Sequence, residues 1–318
     1  MFNKRPKIVI TDCDHSSVEI EREILSKFKP EFLLAQCKTE DEVIEVAKDA
    51  DGIINQYAPI TRRVIKSLKR CKVITRYGVG VDNIDLEAAS DHKIIVANVP
   101  DYCVDEVSTH AMALILACAR RITLLDGKIR KKEWDFALAK PIFRTKDKVL
   151  GLLGFGKIAR MVAQKASGFG FKIIVCDPYV SKIDREIKLV KFSQLLSDSD
   201  FISIHVPLTE KTKHSIGNDE LKKMKKTAYL INTARGAIIN EKALCKALEN
   251  EIIAGAALDV MEKEPPDWNN PLLKLENIII SPHISFYSEE SYVELKTKAA
   301  EAICSVLRGE LPRTTVNK

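Results

Sequence analysis

Short β-branched runs alternate with segments of helical period along almost the whole chain, and that alternation constrains the fold more than any other feature. It is the mark of βαβ units, and so of parallel sheets with helices on their faces. In the first third, strand-like runs at 7–10, 32–35, 52–55, 73–75 and 94–97 are separated by segments at 17–27, 40–47, 62–68 and 86–90 whose apolar residues recur at helical spacing. These make a small α/β domain already. Asn98-Val99-Pro100 breaks the pattern. One long apolar helix is then expected over 104–125, rich in small residues and suited to a buried spine or a subunit contact. The stretch 128–148 is polar and basic around Trp134. A second series starts at Val149, with strands expected at 149–154, 172–176, 201–205, 228–232, 253–258 and 278–280. Helices are expected at 158–168, 192–197, 218–223 and 241–249, and the chain closes with one at 289–308. The fold class expected is α/β, with two Rossmann-like doubly wound parallel-sheet domains.

Composition narrows the function classes. A length of 318 residues suits about two domains at roughly 100–200 residues each. Lys plus Arg total 50 and Asp plus Glu total 44, so the formal charge is 50 − 44 = +6. That is mild for this length. It excludes an acidic disordered chain and gives only a weak hint of nucleic-acid binding, and no nucleic-acid partner is expected. The eight cysteines contain no Cys-x-x-Cys pair, which argues against a zinc site or thioredoxin-like chemistry, and no metal is expected. Cys118 and Cys304 lie in apolar helical patterns and read as buried thiols of a cytoplasmic protein. The opening MFNKRPKIVITDCD lacks the extended apolar core of an export signal. The longest purely apolar stretch, 111–119, is far short of the ~20 residues of a membrane span, so no membrane is expected.

Val149-Leu-Gly-Leu-Leu-Gly154-Phe155-Gly156-Lys157-Ile158-Ala159 reads as a strand entering a Gly-x-Gly-x-x-Ala turn and then a helix. Gly154 permits the tight turn, Gly156 lets backbone approach a pyrophosphate, and Ala159 keeps helix and strand close. Free N–H groups and the dipole at the helix start suit phosphate. Glycines also end strands without any ligand, so context matters. Asp177 lies 23 positions after Gly154, at the end of the next expected strand, where an acid can bond a ribose hydroxyl and repel a 2′-phosphate. NAD is therefore expected over NADP. The plain alternative for Asp177 is a turn-former before Pro178.

Three later segments each follow a strand: Thr233-Ala234-Arg235-Gly236, Leu258-Asp259 through Glu264-Pro265-Pro266, and Ser281-Pro282-His283. Ligands of open parallel sheets bind beyond the carboxyl ends of the strands. Arg235 can hold carboxylate and carbonyl oxygens in a fork. His283 can hand a proton to an oxygen, and Glu264 can bond and orient the imidazole. No side chain carries a hydride, so reduction of a carbonyl needs a nicotinamide. Each residue alone also fits a duller role: a surface ion pair for Arg235, a loop residue for His283, a solvated acidic face for Glu262 and Glu264. His205 ends a strand before Pro207 and either borders the cofactor or is a satisfied strand-end residue. His15, His92, His110 and His214 carry no recognised motif and are assigned no chemistry.

In the first domain, Arg76-Tyr77-Gly78-Val79-Gly80-Val81-Asp82-Asn83 follows a strand, and its two glycines expose backbone N–H groups as a nest for a small carboxylate. The alternative is a strand-to-helix turn capped by Asp82 or Asn83. Tyr57, Tyr102 and the loop around Trp134 are candidate substrate-pocket residues.

In order, RYGVGVDNIDL, NVPDYCVDEVSTHAMALIL, GLLGFGKIA, HVPLTEKTKHSIG, INTARGAIIN, ALDVMEKEPP and SPHISFYSEES resemble the D-isomer-specific 2-hydroxyacid dehydrogenase family across nearly the whole chain. Its members include phosphoglycerate dehydrogenase, glyoxylate reductase and the C-terminal-binding protein corepressors. The resemblance implies hydride transfer between NAD and a small D-2-hydroxy or 2-oxo acid, such as glyoxylate, hydroxypyruvate or 3-phosphoglycerate. It implies a discontinuous, flavodoxin-like substrate domain (1–99 and 287–318), an inserted NAD-binding Rossmann domain (100–286), and a homodimer formed through the insert. By matching motif, Arg235, Glu264 and His283 take the catalytic places. Gly154, Phe155, Gly156, Lys157, Ile158, Asp177, His205, Val206, Pro207, Thr212, Thr233, Ala234, Arg235, Asp259 and His283 fall at the cofactor. Val79, Gly80, Arg235 and His283 fall at the substrate. Two departures stand out: Phe286-Tyr287 where many members carry Trp after the histidine, and Ala159 for the third glycine. A second reading is an NAD(H)-sensing, corepressor-like binding protein with weak dehydrogenase activity, suggested by the charge and by SFYSEES and TTVNK. The chain closes without the long disordered tail of those corepressors, so a metabolic enzyme is the expectation.

Overall fold

A computed structural model describes residues 5–183 and 187–317. Residues 1–4 and 318, the outermost ends of the expected substrate domain, lie outside the described residues, as do 184–186. The chain divides into two compact units, Met1–Cys103 with Ser288–Lys318, and Val104–Tyr287.

In the first unit, β1 (Lys7–Ile10), β2 (Glu31–Leu34), β3 (Gly52–Asn55), β4 (Val73–Arg76) and β5 (Ile95–Ala97) form one parallel sheet in the order β2-β1-β3-β4-β5. That is the flavodoxin-like order. Ile8, Val9, Ile10, Ile53, Ile54, Val73 and Ile74 are completely buried, as befits strands covered on both faces. Helices α1 (Glu19–Leu25), α2 (Glu40–Ala47), α3 (Arg62–Ser67) and α4 (Leu86–Asp91) connect the strands. Local chemistry sets their starts: Thr39 and Glu42 form a capping box on α2, and Thr61 caps α3. The cap of α4 is Asp85, which accepts from Ala88 N, not Asp82 or Asn83. Asn83 is used elsewhere, its amide donating to Asn55 Oδ1 and to the carbonyls of Gln56 and Ala58. The chain's last helix, Glu289–Leu307, packs on α1 and over β3 and β4, so the C-terminal segment completes this unit.

The second unit opens with α5 (Val104–Arg120) and α6 (Ile122–Arg130). The single helix expected over 104–125 is therefore corrected: the two helices meet at 62°. Arg121 takes a left-handed conformation (φ 51°), and the β-branched pair Ile122-Thr123 that follows gives the helix little reason to continue. Then come β6 (Val149–Leu153), α7 (Lys157–Ser167), β7 (Lys172–Cys176), β8 (Lys188–Leu189), α8 (Phe192–Asp198) and β9 (Phe201–Ile204). They are followed by α9 (Asn218–Lys223), β10 (Tyr229–Asn232), α10 (Glu241–Glu249), β11 (Gly255–Leu258) and β12 (Ile278–Ile280). All seven strands are parallel, in the order β12-β11-β10-β9-β6-β7-β8. Strand β8 went unforeseen because two residues carry no period. Order reverses between β6 and β9, which makes the topological switch point of a doubly wound sheet. Among the described residues no single helix is long and apolar enough to cross a membrane.

Candidate active site

The turn after β6 is shaped for an anion. Gly154 has φ +89°, and a Cβ there would lie 2.8 Å from the carbonyl oxygen of His205, so only glycine lets β6 and the end of β9 run this close. Gly156 is the N-cap of α7 and supplies no side-chain cap, while a Cβ built on it would meet nothing within 4 Å. Lys157 and Ile158 begin α7, at the positive end of the helix dipole. Thr233 Oγ1, just past β10, is buried without a hydrogen-bond partner. An open glycine cradle and an orphaned hydroxyl at the same sheet edge fit a phosphate-bearing cofactor.

The other residues expected around a cofactor lie along that edge. Asp177 Oδ2 accepts from Phe155 N and Oδ1 from Tyr179 N, both at 2.8 Å, so its carboxylate braces the glycine turn as well as ending β7. Arg160 stacks its guanidinium 4.4 Å from the Phe155 ring. His205 Nε2 lies 2.9 Å from Ser203 Oγ, and burial pushes the imidazole down to about 4, so it is neutral at pH 7. Val206 packs against the core, and Pro207 accepts a bond from Thr212 Oγ1. Ala234 N donates to Asn232 Oδ1.

Arg235, Glu264 and His283 follow β10, β11 and β12. Arg235 Nη1 donates to Ala234 O at 2.8 Å. His283 Nδ1 donates to Glu264 Oε2 at 2.6 Å, and Glu264 Oε1 accepts from Met261 N at 2.9 Å. His283 itself has φ +52°, a left-handed backbone uncommon for a non-glycine residue. What holds it there is Asp259. Its carbonyl accepts from His283 N, and its buried carboxylate accepts from Ser281 Oγ (2.6 Å), Ile284 N (3.0 Å) and Ser285 N (2.9 Å). Burial acts to raise the Asp259 carboxyl, but the bonds from Ser281, Ser285 and Ile284 outweigh it and hold it below the ordinary 3.8. His110, given no chemistry in the sequence reading, completes this cluster: its Nε2 is 3.0 Å from Ser281 Oγ. Nothing local could have indicated it, because the two residues are 171 positions apart.

In the first unit, Gly78 (φ +135°) opens the loop after β4, and a Cβ on it would collide with the Arg76 guanidinium. Val79 is exposed, with its carbonyl accepting from Asn98 Nδ2 at 2.7 Å, and Gly80 follows half-buried. Tyr57 lies with its ring 6.0 Å from the Arg76 guanidinium, Tyr102 is buried, and Trp134, in the second unit, is almost fully exposed. A cleft of about 1450 Å³ lined by Arg5, Arg22, Phe28, Phe32, Lys72 and Arg308 contains none of the expected site residues. Among the described residues no group of three or more His, Cys, Asp or Glu side chains could hold a metal ion.

The second unit is thus a dinucleotide-binding α/β domain by topology and by its turn. Residues 112–285 match the family described as D-isomer specific 2-hydroxyacid dehydrogenase, NAD binding domain. The chain is 43% identical over 317 residues to the D-3-phosphoglycerate dehydrogenase of Methanocaldococcus jannaschii, covering 98% of this chain but only 59% of that protein. It is 37% identical over 330 residues to the glyoxylate reductase of Korarchaeum cryptofilum, covering 99% and 96% of the two chains. The crystal structure of a glyoxylate reductase from Paecilomyes thermophila superposes with a TM-score of 0.88 at 31% identity, over 99% of each chain. The chain belongs to the D-isomer-specific 2-hydroxyacid dehydrogenase family and carries its NAD-binding domain.

Proposed function

We propose that this protein interconverts a small 2-oxo acid and its D-2-hydroxy acid with NAD(H), and that glyoxylate, hydroxypyruvate and 3-phosphohydroxypyruvate are the substrates to rank. The observation that carries this reading is the His283–Glu264 pair at 2.6 Å, at the same sheet edge as Arg235. A bound nicotinamide supplies or takes up the hydride. Gly154, Gly156, Lys157 and Ile158 would hold its pyrophosphate, Asp177 its ribose, and the segments at His205–Thr212 and Thr233–Ala234 with Asp259 its remaining length. Arg235 would grip the substrate carboxylate and polarise the carbonyl. His283, with Nδ1 committed to Glu264, has Nε2 left to give a proton to the carbonyl oxygen in reduction and to recover it in oxidation. Val79 and Gly80 would bind the carboxylate from the first unit.

In this reading residues 100–286 bind NAD, and 1–99 with 287–318 bind the substrate. Association into a homodimer is supported by Ile122, Ile129, Trp134 and Phe136, four large apolar side chains exposed within one short segment of the NAD-binding unit. A cytoplasmic setting is supported by eight cysteines that form no disulfide. Beyond the charge and the SFYSEES and TTVNK segments, no observation favours the NAD-sensing, corepressor-like alternative.

The test is NADH oxidation with the three 2-oxo acids and pyruvate side by side, on the wild type, His283→Gln and Arg235→Ala. Both variants should lose at least ~100-fold in kcat/KM while still binding NADH, the scale expected for a general acid or an electrostatic clamp. Near-normal turnover in both would refute the site. A wild type inactive on every acid, yet binding NADH tightly, would refute the enzyme reading.

A further inference from the structure

The sequence reading left His214 without a role and left Glu262 as a possible solvated acid, yet the fold brings them together beside the site. His214 Nε2 lies 3.0 Å from Glu262 Oε1. The backbone N–H of His214, itself in a left-handed conformation (φ +51°), donates to Ala237 O at 2.8 Å. Ala237 is two residues beyond Arg235, and Glu262 is two residues before Glu264. One residue therefore holds the segment that carries the arginine with its main chain, and the segment that carries the glutamate with its side chain.

These two segments are pressed backbone to backbone. A Cβ on Gly236 would sit 1.9 Å from the carbonyl carbon of Met261 and 2.4 Å from Glu262 N. The same Oε1 of Glu262 also accepts from Glu241 N at the start of α10, and Glu262 N donates to Glu241 Oε1. From Glu262 the chain runs through Met261 N to Glu264 Oε1, and from Glu264 Oε2 to His283 Nδ1. The route from His214 to the imidazole is thus a short series of direct contacts.

We propose that His214 is a positioning residue: through Glu262 and Ala237 it sets the spacing between the Arg235 guanidinium and the Glu264–His283 pair. The proposal rests on the site assignment above. Magnitudes separate it from an ordinary surface ion pair. Both side chains are about one-third exposed (39% and 34%), and such a pair contributes little to stability. Misplacing a reacting group by about 1 Å, in contrast, costs on the order of 100-fold in rate. Loss of the His214 side chain should be seen in turnover and hardly in melting.

The experiment compares His214→Ala, His214→Gln and His283→Gln with the wild type on the best 2-oxo acid, measuring kcat, KM, NADH affinity and melting temperature. His214→Ala should lower kcat by about 10- to 100-fold with NADH affinity and melting near wild type. His214→Gln, whose amide N–H can still reach Glu262, should recover most of that loss. An unchanged kcat in His214→Ala overturns the proposal, as does a glutamine variant no better than alanine. A collapse of melting temperature also overturns it, because the pair would then be structural. Full turnover in His283→Gln would instead sink the site assignment itself, which distinguishes the two failures.

Discussion

Replacing Asp259 by Asn probes how the fold holds His283 in an uncommon backbone conformation. The Asp259 side chain is buried, and its carboxylate takes hydrogen bonds at Oδ1 from Ser281 Oγ and Ile284 N and at Oδ2 from Ser285 N. An asparagine can present its oxygen to Ser281 and Ile284, but its NH₂ then faces the Ser285 N–H, donor against donor. A bond to a charged group contributes about 1.5–3 kcal/mol, and a stranded buried donor costs about 1–3 more, so the loss is about 3–5 kcal/mol. For a unit of this size that lowers Tm by about 10 °C. Scanning calorimetry measures the melting, and NADH oxidation on the same sample measures turnover, which should fall because Ser281 through Ser285 carry His283. The sign of the pH dependence follows from the carboxyl lying below its ordinary 3.8 in the fold. The unfolded chain binds the proton more readily, so the stabilisation is complete above the unfolded value and is lost as pH falls through the folded one. The gap between wild type and Asn should therefore be full at pH 7 and shrink below about pH 4. An Asn variant melting within about 1 °C of wild type at pH 7 would refute the argument, since even 1 kcal/mol shifts Tm by more than that.

Three further outcomes are expected. Gly236→Ala should cut kcat by more than ~100-fold, because its Cβ would fall 1.9 Å from the Met261 carbonyl carbon and force the Arg235 and Glu264 segments apart; wild-type kcat would contradict this. Tyr77→Phe should destabilise the first unit by about 1–3 kcal/mol in urea titration, since the Tyr77 hydroxyl donates at 2.6 Å to the fully buried Glu21, whose Lys296 partner is 3.9 Å away. A shift in denaturation midpoint too small to measure would count against it. If the proposed homodimer forms through the 122–136 segment, Trp134→Lys, at a side chain 89% exposed, should leave folding and NADH binding intact but weaken self-association in sedimentation velocity; an unchanged sedimentation coefficient would remove Trp134 from the proposed contact.

The strands were legible because parallel strands covered on both faces are runs of β-branched residues, and runs such as Ile8-Val9-Ile10 and Ile53-Ile54 admit few other readings. The helix break at Arg121 was not legible, because apolar spacing continues through it and the left-handed residue is an arginine. The two-residue strand at Lys188–Leu189 has no period to detect. Glycine positions were half legible. The strain at Gly154 follows from its motif, but the need for glycine at Gly236 arises from Met261, which another strand brings alongside.

The site residues divide along the same line. Arg235, Glu264 and His283 could be singled out by type, because each follows a strand whose carboxyl end borders ligand space. Their supports could not. Asp259 looks from sequence like one more residue facing a cofactor, yet its buried charge already requires a full set of donors. Those donors come from the turn after β12, which lies beside β11 only through the sheet order. His214 and Glu262 meet for the same reason: the turn before α9 reaches the end of β11 because β9, β10 and β11 are neighbours. Chemistry is written in residue type and local position, while its precision is written in contacts that exist only after the sheet has formed. A substitution at a supporting residue should therefore lower kcat in proportion to how far the acid or the arginine moves, and leave cofactor affinity nearly untouched where the glycine turn at the other end of the sheet edge is intact.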